Sequence, residues 1–381
     1  MKFKSVTFFG VVSALALSSP AIGRADDTTD LYFQGVLERY FEYSQNARTF
    51  GMAGSSVQTS SDSSSVLGNP AGLGFMPEAE FSGSYGISEI SGDEFPTGAG
   101  VEQDSEGGSG ILTLPIGPVL DGLPRFGNFG VAWAASDTNW DDDSFDTISE
   151  RTQVVAAYSY PVSETVSLGY SFGWIDDKFQ SRDIFNYPMG DGYRHTLGAQ
   201  WRQSSDWTFG TSLHYGYGDH HALFGPGIKT KSETESYGAD LGVQYALENN
   251  ATLAFGADYR HLSSEGDVIA SIPANIVGGN ENGNIFNLRA GYEHPINDQW
   301  ALRAGYRYAG LESYKYNRRE LNELNGSAAY HAVALGAGVK FPITSKYVRS
   351  INLDYGVEYR TAAEGDWQHL VTVSVPFGIC S

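Results

Sequence analysis

"DWTFGTSLHYGYG", residues 206–218, changes character at every step. Trp207, Phe209, Thr211, Leu213, Tyr215 and Tyr217 fall on one face. Asp206, Thr208, Gly210, Ser212, His214 and Gly216 fall on the other. Successive side chains of a strand point to opposite sides, so this is a strand with one apolar and one polar face. The same period runs through "YRHTLGAQWR" (193–202), "QWALRAGYRYAG" (299–310) and "SINLDYGVEYR" (350–360).

The question is which face meets what. In a soluble sandwich the apolar face would turn inward. Here the segments run about ten residues, the length of one tilted bilayer crossing. Trp174, Trp201, Trp207, Trp300 and Trp367 recur near their ends, where an interfacial girdle sits. The apolar face is therefore assigned to lipid and the polar face to a lumen. The connections agree. Short turns are expected at 161–164, 203–206, 247–250 and 295–299. Long polar loops are expected at 136–150, 175–192, 219–233, 263–283 and 311–327. Short periplasmic turns alternating with longer extracellular loops are the habit of outer-membrane barrels. The tally is about fourteen strands. The first three lie near 79–88, 109–116 and 127–135, and the last runs 367–377. The fold class is all-β: a transmembrane antiparallel barrel over residues 79–381.

Composition supports export. Aromatic residues are 13% of the chain and Gly occurs 46 times. No later segment reaches the ~20 apolar residues of a spanning helix. Residues 1–25 read as a signal peptide: Lys2 and Lys4, an uncharged apolar run from Val6 to Leu17, then small-x-small sites. Cleavage is placed after Ala25, with Ala21 as the second site. Net charge is −21, and losing Lys2, Lys4 and Arg24 takes it to −24. Such acidity argues against nucleic acid as a partner. The single Cys380 leaves no internal disulfide framework.

Residues 26–78 precede the barrel. Phe33, Val36, Leu37, Tyr40 and Phe41 have helical spacing. Then comes "NARTFGMAGSSVQTSSDSSSVLGNPAGLGFM" (46–76). Its Gly51, Ala53 and Gly54, its Asp62 followed by Ser63, and its Asn69-Pro70-Ala71-Gly72-Leu73 block resemble the N-terminal hatch signature of the FadL-type family. Those proteins are outer-membrane transporters of long-chain fatty acids and other hydrophobic compounds. The family includes toluene-type transporters and PorV-like proteins of the type IX secretion system. The resemblance implies a fourteen-stranded barrel with a hatch segment in its lumen and a hydrophobic small-molecule ligand. It implies equally a PorV-like alternative, a barrel that serves as a protein-secretion or surface-attachment partner.

The physics fits a plug. A barrel this wide is not filled by its own side chains. A plug inside a polar lumen needs tight turns more than a greasy core. Asn69-Pro70 starts such a turn, with Pro70 fixing φ and Asn69 bonding its own backbone. Gly72 and Gly74 permit close backbone approach or positive φ, and Leu73 and Phe75 can anchor the turn on an apolar spot.

Other chemistry is sparse. The lumen face carries Asp258, Arg260, Arg289, Glu293, Arg303, Arg307, Lys340, Asp354, Glu358 and Arg360. These form either a polar ligand path or a ladder of cross-strand ion pairs. If an anionic head group is bound, Arg289, Arg303 and Arg307 are its candidates, because guanidinium suits carboxylate. Asp219-His220-His221 lacks further ligands at metal spacing. The acidic loop at 137–146 lacks the Gly and Glu of an EF-hand. No metal, cofactor or enzymatic activity is expected. A catalytic barrel would need a Ser and a His within hydrogen-bond reach. A transporter would need a plugged lumen and an apolar pocket between hatch and barrel. The expected setting is the bacterial outer membrane, with its lipid, lipopolysaccharide and barrel-assembly machinery as partners.

Overall fold

The computed structural model describes residues 46–92, 101–116, 126–142, 145–181, 185–187, 190–223, 228–270, 279–318, 322–361 and 366–378. The signal peptide expected over 1–25, the helix expected at 33–41 and Cys380 lie outside the described residues.

Fifteen strands follow a short hatch. They are β1 (Ala79–Gly92), β2 (Val101–Pro115), β3 (Asn128–Asp142), β4 (Phe145–Pro161), β5 (Val166–Ser181), β6 (Phe185–Tyr187), β7 (Asp191–Arg202) and β8 (Trp207–Leu223). Then come β9 (Ile228–Ala246), β10 (Thr252–Ala270), β11 (Gly279–Pro295), β12 (Trp300–Arg318), β13 (Asn322–Pro342), β14 (Ser350–Arg360) and β15 (Asp366–Phe377). Sequence neighbours pair antiparallel, save that β7 pairs with β5 across β6, and β1 pairs with β15 from Ala79↔Phe377 to Glu89↔Trp367. That seam closes the ring. The three-residue β6 hangs on β5 as an extra hairpin strand, and β7 takes its place in the wall. Fourteen strands therefore make the barrel. Closure removes the sheet edges, whose unpaired N–H and C=O groups hydrocarbon would not tolerate.

Alternation has the expected sense. Leu197, Leu213, Leu241, Phe255 and Leu302 project outward, and Leu241 remains 61% exposed. Their strand neighbours Thr196, Ser212, Asp240 and Arg303 are buried in the lumen. Short turns, the first residue of β1 and the last of β15 share one rim, which the short-turn rule assigns to the periplasm.

The polar loops differ from expectation. Backbone pairing runs almost to the tips: β3 and β4 pair to Asp142↔Phe145, β8 and β9 to Leu223↔Lys229, and β12 and β13 to Arg318↔Asn322. Among the described residues, the stretches read as loops at 136–150, 219–233 and 311–327 thus continue as ribbons of paired strands, and in 263–283 β10 pairs with β9 as far as Ala270. The 175–192 stretch holds the end of β5, all of β6 and the start of β7. The cause is simple. Period-two polarity records one greasy and one wet face. Above the bilayer both faces are wet, so the period vanishes while the strand continues.

The face assignment predicts that Leu241→Arg lowers the unfolding free energy in lipid vesicles by roughly 2–4 kcal/mol if it sits near the midplane. Urea titration of the folded barrel measures it. A change below ~0.5 kcal/mol would contradict a lipid-facing Leu241.

Candidate functional site: the hatch and the lumen wall

The hatch is built from turns, as a segment without room for a core must be. Helix α1 (Ala47–Phe50) is capped by Asn46, whose Oδ1 accepts from the Arg48 amide at 2.8 Å. Ala53 and Gly54 take positive φ (54° and 75°) and reverse the chain. A 3-10 turn at Ser63–Val66 is capped by Asp62, and a second at Pro70–Phe75 by Asn69 with Pro70 in its first turn. The sequence signature thus marks the caps and the reversal.

Asn69 is fully buried and works three ways. Its Oδ1 accepts from the Ala71 amide at 3.1 Å. Its Nδ2 donates to Gln58 O at 2.9 Å and to Ala199 O of β7 at 3.1 Å. One side chain therefore closes its own turn, ties the two halves of the hatch together and fixes both to the wall. Gly72 leaves room for Ser60 O and Ser65, so its role is close approach, with no positive φ. Gly51 packs backbone to backbone on Gly336 of β13, where a Cβ would stand 2.8 Å from the Gly336 Cα. Gly54 lies beside Arg289.

The wall answers with its own glycines. Gly169↔Gly198, Gly210↔Gly242↔Gly256, Gly291↔Gly305 and Gly336↔Gly356 pair across neighbouring strands and face the lumen. The hatch backbone rests on them. A Cβ at Gly242 would reach 2.6 Å from Gln58 Cβ, and one at Gly356 would reach 2.8 Å from Phe50 Cδ1. This girdle is absent from the sequence reading. Its signal was there: Gly198, Gly210, Gly305 and Gly356 each sit mid-strand on the polar face of a quoted segment.

Two kinds of force hold the two halves. Val66, Leu73 and Met76 pack with Ile111, Ala132, Val155 and Ala157 of β2–β4 in a small buried apolar cluster. Asn128 Nδ2 donates to Leu73 O and to Met76 O (3.1 Å), and Ser159 Oγ donates to Ala71 O at 3.2 Å. Residues 46–61 rely more on polar pairs. Gln58 Nε2 donates to Asp240 Oδ2 at 3.0 Å, and Thr59 Oγ1 to Gln244 Oε1 at 3.0 Å. Arg202 Nη2 donates to Ser61 Oγ at 3.0 Å. Arg48 forks onto Glu293 with bonds of 3.0 and 2.8 Å. The Glu293 charge raises the Arg48 pKa above its already high normal range, so Arg48 is always a cation. Phe75 lies under the Arg202 guanidinium, 4.1 Å from its carbon.

The three candidate arginines have carboxylate partners. Arg289 pairs with Asp258. Arg303 bridges Glu293 (2.6 Å) and Asp354 (2.7 Å). Arg307 pairs with Glu358, which Arg360 also contacts at 3.1 Å. The lumen charges form the cross-strand ladder, one of the two arrangements the pattern allowed. A Ser–His contact is present too: Ser212 Oγ lies 3.0 Å from His214 Nε2. Asp240 Oδ2 takes that same nitrogen at 2.6 Å, and Nδ1 meets Thr196 Oγ1 at 3.1 Å. A hydrolytic relay puts the acid on the other nitrogen and leaves one free to accept the serine proton. Ser212 also donates to Gln58 Oε1 at 3.0 Å. The group is a tether between wall and hatch.

The cavities fall differently from expectation. The space between hatch and wall at the short-turn rim is a polar recess of about 380 Å³, lined by residues such as Ser56, Ser60, Arg202, Gln244 and Glu293. The larger apolar concavity, about 950 Å³, lies on the wall, where exposed Trp201, Leu241, Phe255 and Leu288 line it together with backbone-bare Gly210 and Gly242.

The family described as "Outer membrane protein beta-barrel domain" matches residues 125–341, more than half of the chain, and the chain belongs to that family. A Pseudomonas aeruginosa FadL homologue shares 15% identity, covering 88% of this chain and 98% of its own, with a TM-score of 0.60. The Pseudomonas putida toluene transporter TodX shares 14% (87% and 97% covered, TM-score 0.55). The Ralstonia pickettii toluene transporter TbuX shares 13% (87% and 97%, TM-score 0.54). No curated protein sequence matches the chain. The fold is the FadL-type barrel of the bacterial outer membrane.

The girdle predicts that Gly242→Val unseats the hatch while the barrel still folds. Overpacking of this kind costs roughly 1–3 kcal/mol. Limited proteolysis should cut within residues 46–76 at least tenfold faster than in the wild type, with unchanged heat-modifiable migration. Equal cutting rates would mean the hatch does not rest on Gly242.

Proposed function

We propose that the protein is an outer-membrane channel for hydrophobic small molecules such as long-chain fatty acids, gated by its hatch. The observation that carries this reading is the unequal seating of the plug. Residues 63–76 are anchored by the apolar cluster and run directly into β1. Residues 46–61 meet the wall through hydrogen bonds, ion pairs and glycine backbone, with Phe50 and Met52 packed on wall glycines. Water can replace those polar partners on opening, so the cost is set mainly by exposing Phe50 and Met52 and lies below that of global unfolding. Asn69 is the hinge pin, because its Nδ2 holds the mobile half through Gln58 O. The solved relatives support the class of cargo: two of those named above are toluene transporters. The apolar hollow outside Gly210 and Gly242 supports a hydrocarbon-side resting place for such a molecule.

The test is deletion of residues 51–75, alongside Asn69→Ala with Pro70→Gly. The double variant loses the side-chain bonds and gains unfolded-state freedom at the turn. Both should raise conductance in planar bilayers, and oleate or toluene uptake should change with it. If deletion leaves conductance and uptake unchanged in a folded barrel, the channel reading fails. The PorV-like reading, a barrel that engages a secreted protein, then takes its place.

A further inference from the structure

A single rung recurs around the outside of the barrel. In six hairpins whose connection lies at the long-loop rim, an outward tyrosine on the rising strand bonds a side chain on the descending strand. The partner always sits two residues before the one paired directly with the tyrosine. Tyr170 is paired with Leu197 and its hydroxyl meets His195 Nδ1 at 2.6 Å. Tyr306 is paired with Val333 and meets His331 Nδ1 at 2.5 Å. Tyr355 is paired with Val371 and meets His369 Nδ1 at 2.7 Å. Tyr85, Tyr215 and Tyr259 do the same with Glu106, Glu235 and Asn284 at 2.6, 3.4 and 2.8 Å. The β3–β4 hairpin has outward Trp133, which has no hydroxyl, opposite Val154.

The height of the rungs follows from strand length. His195, His369 and His331 stand 7, 8 and 11 residues from the short-turn ends of their strands at Arg202, Phe377 and Pro342. A tilted crossing takes ~9–11 residues, so these rungs sit where hydrocarbon gives way to the outer head groups. Below them on the same faces lie Leu197, Leu335 and Val371, all exposed to lipid.

An ordinary aromatic girdle would leave the tyrosine hydroxyl to water. Here an imidazole takes it. A hydroxyl donating to Nδ1 fixes the tautomer with hydrogen on Nε2. Among the described residues Nε2 of His195, His331 and His369 has no hydrogen-bond partner. With the tyrosine as donor, each rung presents one oriented N–H at the lipid boundary, above an apolar strand face.

We propose that these three Tyr–His rungs bind the phosphate groups of the outer-leaflet glycolipid, lipid A, with its acyl chains lying on the strand faces below. A phosphate oxygen accepts from Nε2–H, a hydrogen bond strengthened by the charge on the acceptor. The glutamate rungs at Glu106 and Glu235 lack a donor and hold no phosphate. The inference rests on the outer-membrane placement and is independent of what the lumen carries.

The test uses the full-length barrel in detergent, titrated with bis-phosphorylated lipid A and followed by native mass spectrometry. Wild type should retain lipid A at least tenfold more tightly than the His195→Phe/His331→Phe/His369→Phe variant, which keeps an aromatic ring at each site. Nitrogen NMR of the wild type should show the Nε2 signals of these three histidines shifting with lipid A while that of lumenal His214 does not. This second readout stands if the triple variant fails to fold. Equal retention by the triple variant, no shift at Nε2, or equal binding of dephosphorylated lipid A or phosphatidylglycerol overturns the proposal. Uptake by the triple variant should match wild type, so this result is separable from the channel reading.

Discussion

Everything in this molecule depends on the β1–β15 seam. Antiparallel neighbours pair locally all round the sheet, and of the strand pairings only this one joins the two ends of the chain. Without it two edges of unpaired amides would face hydrocarbon, at several kcal/mol for each group. With it, fourteen strands fix a circumference, and the circumference fixes a lumen too wide for its own side chains. The hatch is the answer to that width. Its lack of an extended apolar core follows from the polarity of the wall it must fit.

The fit is made by backbone as much as by side chain. On most of the strands it touches, the hatch approaches a glycine, and the glycines pair with one another so that the bare patches run on from strand to strand. Buried polar groups must find partners, and here the partners are divided between hatch and wall: Gln58 with Ser212 and Asp240, Arg48 with Glu293, Asn69 with Ala199. The ion-pair ladder of Asp258, Arg289, Glu293, Arg303 and Asp354 stiffens the wall below the same contacts. Wall and plug form one polar network, and a half-satisfied network of this kind is costly.

The barrel was legible because lipid and lumen impose opposite demands on alternate residues, and "DWTFGTSLHYGYG" shows both at once. The hatch was legible through Asn69-Pro70, whose turn chemistry is local. Two things were hidden. The ribbons were read as loops because a strand wetted on both faces loses its period. The Gly198–Gly356 girdle was hidden because a lone glycine in a strand is ambiguous; only the register shows that Gly210, Gly242 and Gly256 are neighbours. The arginines Arg289, Arg303 and Arg307 stood out in the sequence as cations, but their carboxylate partners lie on other strands and become visible only in the folded ring.

The seam also sets an order of assembly. Hairpins between sequence neighbours close short loops and form early, whereas Ala79↔Phe377 brings together residues at opposite ends of the chain and bears the largest closure entropy. The hatch enters β1 directly and touches strands on both sides of the seam: Ser63 on Ser82 of β1, Ala47 on Thr372 of β15. A plug enclosed by a continuous wall cannot be threaded in afterwards except through a rim. The hatch runs into β1 at the short-turn rim, so that rim is its way in once the last pairing is made, and closing the ring does not wait for the plug.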